Sequence, residues 1–259
     1  MELPLYQVDA FASRLFAGNP AAVCPLSQWL PDATMQAIGA ENNLSETAFF
    51  VPRNGDYDLR WFTPTIETDI CGHATLASGF VVMTRLAPQR KEVRFHTKSG
   101  LLVVTRRGDD FALELPAQPP VPVTMPARIL DALGRKPAQV LAAKKYLVVY
   151  ESEAEVAALQ PDLAVVKDAD RDGVIATAPG RDCDFVSRYF APHAGIPEDP
   201  VTGSAHCTLV PYWSKRLGKK ALQARQISQR GGELACEDRG DRVSVAGKAV
   251  LYLEGRIHV

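Results

Sequence analysis

Glu46 is the residue of this sequence whose type and setting best suit acid–base chemistry. It stands directly before an apolar stretch, Thr47–Val51, that the pattern predicts as a strand. A carboxyl group that enters a partly buried site has its pKa raised by desolvation, which suits proton transfer near neutral pH. The alternative is that Glu46 is an ordinary exposed residue at the start of the strand, without a catalytic role.

Two glycine-centred turns carry further candidates. Cys71–His73 and Thr202–Ser204 each open an uncharged, mostly apolar run that predicts a helix. A helix start offers free backbone N–H groups and partial positive charge, so it binds anions, most simply a carboxylate. For either turn alone, the alternative is that the serine only caps its helix and the glycine only permits the turn. The predicted substrate-binding residues are Gly72, His73, Gly203 and Ser204.

His73 and Asp199 complete the set of candidates. A histidine at a helix start is favoured as neutral imidazole, because the helix dipole opposes added positive charge, although a purely capping histidine is the alternative. Asp199 lies five residues before Ser204, and its Asp-Pro pair is also common turn chemistry. No CxxC pair occurs among the five cysteines, and adjacent His206 and Cys207 diverge by about 100° on a helix. We therefore predict no metal site.

The candidate residues fall within an internal repeat. Arg60–Pro64 is matched by Arg188–Pro192 at an offset of 128 residues, and the two glycine turns are offset by 131. This drift indicates a duplication with small insertions. Two similar halves related by pseudo-symmetry would place both helix starts on one cleft, where they could hold an anion from two sides.

The elements that must position these residues are strands around two apolar helices. We predict two predominantly β domains, each wrapped around one enclosed helix: His73 to about Arg85, and Ser204–Leu217 with a kink at Pro211. A proline-rich linker divides them, giving domains 1–115 and 116–248, with a strand near 249–259 returning to the first. A parallel α/β sheet is the alternative, but no glycine-rich strand-to-helix fingerprint is present.

Composition narrows the class of protein. The chain has 259 residues and a net charge of −1, so neither a nucleic-acid footprint nor polybasic attraction to a membrane is indicated. Its first residues lack the pattern of a signal peptide, and its longest apolar run is about half of what a bilayer needs. Five cysteines without a pairing pattern suggest reduced thiols. We predict a cytoplasmic protein with no nucleic-acid or membrane partner.

Taken together, these segments resemble the phenazine biosynthesis F-like (PhzF-like) isomerase family. The resemblance implies an α+β, diaminopimelate epimerase-like fold: two pseudo-symmetric domains, each a β-rich, barrel-like sheet around a central helix, with the active site between them. It also implies a homodimer and no cofactor or metal. The segments that carry it are Val8–Phe11, Gly18–Val23, Ser45–Phe49, Phe62–Pro64, Cys71–Thr75 and Glu198–Ala205.

The same resemblance implies the roles of the residues. Glu46 is the general acid/base, while His73, Asp199 and Ser204 bind substrate and help to relay the proton. Backbone amides at the two helix starts hold the substrate carboxylate. We therefore predict a cofactor-independent isomerase that transfers a proton on a small carboxylate in the inter-domain cleft.

Two other functions are open at this point. A small-carboxylate binding protein would keep the cleft but perform no chemistry. A thiol-dependent racemase or dehydratase of the same fold would need a thiol on each side of the substrate. Cys71 falls where the first thiol would be, but the repeat places Thr202 at the second, and a threonine hydroxyl is far too weak an acid–base group. Cys71 is therefore predicted to be a small packed residue.

Overall fold

The chain forms seventeen strands and six α-helices, with several strands following one another directly. The computed structural model describes residues 1–259. The strands are β1 (Glu2–Ala10), β2 (Asn19–Pro25), β3 (Glu46–Arg53), β4 (Asp56–Phe62), β5 (Glu67–Thr68), β6 (Glu92–Thr97), β7 (Gly100–Arg107), β8 (Asp110–Pro116), β9 (Val121–Pro122), β10 (Gln139–Ala142), β11 (Tyr146–Val149), β12 (Val174–Pro179), β13 (Phe185–Phe190), β14 (Ala221–Gln226), β15 (Gly232–Asp238), β16 (Arg242–Gly247) and β17 (Ala249–His258). The helices are α1 (Asp32–Asn42), α2 (Gly72–Val81), α3 (Ala127–Ala132), α4 (Glu153–Ala157), α5 (Leu163–Val166) and α6 (Gly203–Leu217).

This content confirms the predicted α+β class. The chain divides into two compact units, residues 1–114 with 246–259, and residues 115–245. None of the helices combines the length and the apolarity that crossing a membrane would require.

The first unit packs its strands around α2. Strand β2 runs parallel to β3, β3 runs antiparallel to β4, and β17 runs antiparallel along β1. All ten residues of α2 are buried, as its uncharged sequence predicts. The α-helix ends at Val81 rather than near Arg85, and a single π-helical turn, Val82–Leu86, follows it.

Gly79 brings α2 close to strand β7. A Cβ atom built on Gly79 would lie 2.6 Å from Cγ1 and 2.8 Å from Cβ of Val104. Any larger residue must therefore push the helix away from the strand. The close approach fixes the depth at which α2, and the site residue at its start, lies in the unit.

The second unit repeats this plan around α6. Strand β11 runs parallel to β12, and β12 runs antiparallel to β13. The prediction of a helix enclosed along its whole length is wrong for the final turn, where residues 215–217 are exposed. That turn carries Lys215 and Arg216, whose charged groups stay in water, and the helix ends at Gly218 in the left-handed conformation. Pro211 lies inside α6, and the helix continues beyond it.

Two partly buried ion pairs show the repeat at the level of side chains. Arg60 makes two hydrogen bonds with Glu67, of 2.8 and 2.9 Å, and Arg188 makes two with Glu198, of 2.7 and 2.8 Å. The guanidinium of Arg60 lowers the pKa of Glu67 to about 2. Each pair ties the end of a strand to the segment that leads into the buried helix of its unit, so each helix start is anchored in the same way.

Candidate active site

Glu46 and His73 meet in the first unit. Glu46 opens β3 and its side chain is 12% exposed, while His73 is the second residue of α2 and is 3% exposed. Oε2 of Glu46 lies 3.3 Å from Nε2 of His73. Burial lowers the pKa of His73 to about 3, so the imidazole is neutral near pH 7. The carboxylate therefore lies beside a neutral ring rather than beside a cation.

Asn19 fixes the tautomer of that ring. Nδ2 of Asn19 lies 3.1 Å from Nδ1 of His73, and Sγ of Cys71 lies 3.5 Å from the same nitrogen. An amide N–H group can only donate, so Nδ1 is the acceptor of the bond from Asn19 and the ring proton is on Nε2. Nε2 is the nitrogen beside Glu46. The four residues Asn19, Glu46, Cys71 and His73 are called the first half-site below.

Asn19 is a site residue that the sequence interpretation missed. In the sequence, Gly18-Asn19-Pro20 is recognised only as part of the segment Gly18–Val23 that carries the family resemblance. Gly18 has a φ of +66°, and a Cβ atom there would lie 2.2 Å from the carbonyl oxygen of Ala10. Only glycine fits this approach, which sets Asn19 at the start of β2 with its side chain fully buried. A polar residue between Gly and Pro, next to a buried strand, is the signal that could have found it.

The first half-site also offers a thiol, a carboxylate and an imidazole. One ligand atom from each of Glu46, Cys71 and His73 lies within 4.8 Å of the others. The thiol lies against Nδ1, however, and the carboxylate against Nε2. A metal ion bonds a histidine through one of its two nitrogens, so these side chains do not converge on one ion without rearranging. The arrangement suits proton transfer better than metal binding.

Asp199 lies in the second unit, in a buried segment that leads into α6. Its Oδ2 accepts a hydrogen bond from the hydroxyl of Thr202. Gln226, at the end of β14, donates from Nε2 to the Asp199 carbonyl at 2.7 Å and accepts at Oε1 from the Thr202 backbone N–H at 2.8 Å. The turn before α6 is thus held from both sides. Asp199, Thr202, Ser204 and Gln226 are called the second half-site below.

The hydroxyl of Thr202 is engaged with Asp199, which leaves Cys71 without an acid–base counterpart in the repeat. Gln226 was not predicted from the sequence. It contacts residues that are 24 and 27 positions away in the chain, and no local motif marks it.

The two buried helices begin without side-chain caps. Cys71 and Thr202 occupy the N-cap positions in extended conformation, and neither side chain accepts a hydrogen bond from its helix. The alternative in which Ser204 caps α6 is therefore wrong, because Ser204 is the second residue of the helix and is half-buried. Uncapped N–H groups at a helix start are suited to an anion.

The strand register shows why Glu46 has no twin. Phe62 pairs with Thr47 in the first unit, and its repeat equivalent Phe190 pairs with Val174 in the second. One residue earlier on the corresponding strands, Glu46 is therefore matched by Gly173. The second unit has no side chain at the position that holds the carboxylate in the first, so the duplicated halves differ in chemistry.

Comparison with known proteins decides the family. Residues 8–255 match the family model PhzC-PhzF, phenazine biosynthesis-like protein. The chain belongs to this family. An uncharacterized isomerase of Pseudomonas aeruginosa is 53% identical over 259 residues, with 100% of both chains covered. The PhzF-like resemblance and the predicted isomerase class are both confirmed.

Solved structures give the same result for the fold. A PhzF-family phenazine biosynthesis protein from Enterococcus faecalis has a TM-score of 0.96 and 45% identity, with 100% of each chain covered. A hydroxyproline epimerase from Agrobacterium vitis has a TM-score of 0.63 at 10% identity, covering 99% of this chain and 92% of its own. The second likeness is one of fold alone, and it confirms the epimerase-like architecture.

Proposed function

We propose that this isomerase works without a cofactor and moves a proton on a small carboxylate, with Glu46 as its acid/base. The observation that carries the proposal is the 3.3 Å separation between Oε2 of Glu46 and Nε2 of His73, a buried ring nitrogen that makes no hydrogen bond within the protein. Glu46 is the carboxylate of the first half-site, and it is mostly buried. A base enclosed in this way is positioned before substrate arrives.

The neutrality of His73 is what keeps Glu46 useful as a base. A cationic histidine at this distance would stabilise the carboxylate and lower its proton affinity. A neutral ring at this distance has a much weaker effect on the basicity of the carboxylate. His73 also lies at the uncapped start of α2. Its backbone N–H can therefore bind the substrate anion while its ring lies beside the base, Glu46.

The substrate carboxylate would be held by helix starts. The N–H groups at Gly72 and His73, and those at Gly203 and Ser204, are the proposed anion-binding groups. Donors that are fixed before reaction stabilise negative charge without reorganising, which in many enzymes supplies much of the rate. Asp199, oriented by Thr202 and Gln226, would bind a polar group of the substrate.

Glu46→Gln tests the proposal. A panel of small carboxylates is incubated with the wild-type protein in deuterated water, and both deuterium uptake and product are followed by NMR. We expect Glu46→Gln to lower turnover by about 10²- to 10⁴-fold, the usual contribution of an acid/base group, while calorimetry still detects ligand binding. Unchanged turnover in Glu46→Gln would refute the proposal.

Cys71→Ala is the matched control, because Cys71 is the other ionisable neighbour of His73. We expect it to keep most of the activity. Loss of activity in Cys71→Ala with little effect of Glu46→Gln would identify a thiol-dependent enzyme instead. Binding to the wild type without label uptake or product, for every carboxylate tested, would identify a binding protein.

A further inference from the structure

Lys145 is a buried cation in the second unit without a bonded partner. Its side chain is 7% exposed, and it forms neither a hydrogen bond nor an ion pair. Its Nζ lies 5.5 Å from the centroid of the Tyr189 ring. Its Nζ is not fully buried, so water reaches it and its three N–H donors are open to an anion.

Neighbouring groups both raise and lower the pKa of Lys145. Burial lowers the pKa of its ammonium group; Asp172, Cys207 and Asp199 act to raise it, and neighbouring Lys144 acts to lower it. Lys145 forms no ion pair with either aspartate. The amine is therefore placed near two carboxyl groups, Asp172 and Asp199, that favour its protonated form without bonding to it.

In the internal repeat, Lys145 of the second unit corresponds to Ala21 of the first unit, the residue that pairs with Glu46. In the first unit, Ala21 on β2 pairs with Glu46 on β3. In the second, Tyr146 pairs with Val174, so the preceding pair is Lys145 with Gly173. Gly173 is the register equivalent of Glu46, as shown above. The first unit thus pairs a small residue, Ala21, with a carboxylate, and the second pairs a lysine with a glycine.

Lys145 is also connected to the second half-site. The carbonyl oxygen of Tyr189, whose ring lies under the ammonium group, accepts a hydrogen bond of 3.0 Å from the backbone N–H of Asp199. Asp199 in turn bonds Thr202 at the start of α6. The cation, the aspartate and the helix start thus belong to one connected group of residues.

We infer that Lys145 is an anion-binding residue of the second half-site, whose ammonium group bonds a carboxylate or enolate oxygen of the substrate. The inference rests on the proposed function, since it supplies positive charge to the anion of that reaction. It adds a side-chain cation to a site otherwise built from backbone N–H groups. No bond to carbon forms or breaks at Lys145.

Malonate, a small dicarboxylate, is the probe, and uncharged malonamide is its control. Three variants are compared with the wild type by calorimetry. Lys145→Met keeps the length of the side chain without its charge, Lys145→Arg keeps the charge, and Lys144→Met removes the charge of the exposed neighbour. We expect Lys145→Met to weaken malonate binding by about 10- to 100-fold, the range for a hydrogen bond to a charged group. Lys145→Arg should lose less, and Lys144→Met should bind as the wild type does.

NMR of protein with ¹³C-labelled lysine provides a readout besides affinity. Malonate should shift the Cε signal of Lys145, assigned from its absence in Lys145→Arg, and malonamide should not. Thermal unfolding separates a purely structural role, because removal of an unpartnered buried charge should leave the midpoint unchanged or raise it. Unchanged affinity in Lys145→Met, no shift of Cε, no binding of malonate to the wild type, or a lowered unfolding midpoint in Lys145→Met would each overturn the inference.

The Glu46→Gln protein separates this inference from the proposed function. If Glu46→Gln turns over normally but Lys145→Met in that background still weakens malonate binding, only the proposed function fails. If Glu46→Gln is inactive and Lys145→Met binds malonate normally, only the role of Lys145 fails.

Discussion

The neutrality of His73 has a measurable cost in stability at low pH. Its pKa is about 3 in the folded protein, against an ordinary value of 6.5. Between those two values the unfolded chain binds a proton at this residue and the folded protein does not, so the free energy of unfolding falls as the pH falls. Each pH unit is worth about 1.4 kcal/mol, so lowering the pH from about 7.5 to about 5 removes about 2 kcal/mol through this residue.

His73→Gln isolates this contribution, because glutamine is polar and does not titrate. Urea unfolding of the wild type and the variant is measured at both pH values. The variant should lose about 2 kcal/mol less than the wild type between them. His206 provides a matched case in the second unit: burial lowers its pKa to about 4, and His206→Gln should show an effect of the same sign and similar size.

Equal losses of stability in the wild type and in His73→Gln would refute the reasoning. That result would mean that His73 takes up its proton in the folded state as readily as in the unfolded chain. The contact with Glu46 would then become an ion pair at mildly acidic pH, and the argument that a neutral neighbour preserves the base would fail.

Two further predictions concern the residues that position the site. Asn19→Asp replaces a donor by an acceptor, so the proton of His73 should move to Nδ1; ¹⁵N NMR of the ring should show the new tautomer, and turnover should fall by about 10- to 100-fold. An unchanged ring spectrum would contradict the assignment. Gly79→Ala should cost about 1–3 kcal/mol in urea unfolding because of the contact with Val104, and adding Val104→Ala should recover part of it. No recovery would mean that the cost lies elsewhere.

The parts of the site that could be predicted from the sequence are those carried by local patterns. A glycine before an apolar run predicts each of the two helix starts, and Asp199 lies within five residues of one of them. Asn19 could not be assigned in this way, since it meets His73 across 54 residues of chain. Its role depends on the pairing of strands, which a single sequence does not specify. Gln226 escapes prediction for the same reason.

The chemical differences between the two halves of the repeat also divide into those that local sequence predicts and those that only strand pairing reveals. The difference between Cys71 and Thr202 is visible in the aligned motifs, whereas the match between Glu46 and Gly173 emerges only from the strand register. The open final turn of α6 was mispredicted because its apolar start was extrapolated past the charged residues at its end. The homodimer and the cytoplasmic location stay predictions, and size-exclusion chromatography with light scattering tests the first.

The pairing of β1 with β17 has a consequence for synthesis of the protein. The two strands belong to one unit, yet residues 115–245 lie between them in the chain. At ribosomal rates, making that intervening segment takes on the order of ten seconds. During this interval β1 lacks its later partner and presents an open edge, of the kind that invites pairing with other chains. The unit that carries Glu46 is therefore the first to leave the ribosome and the last to be completed.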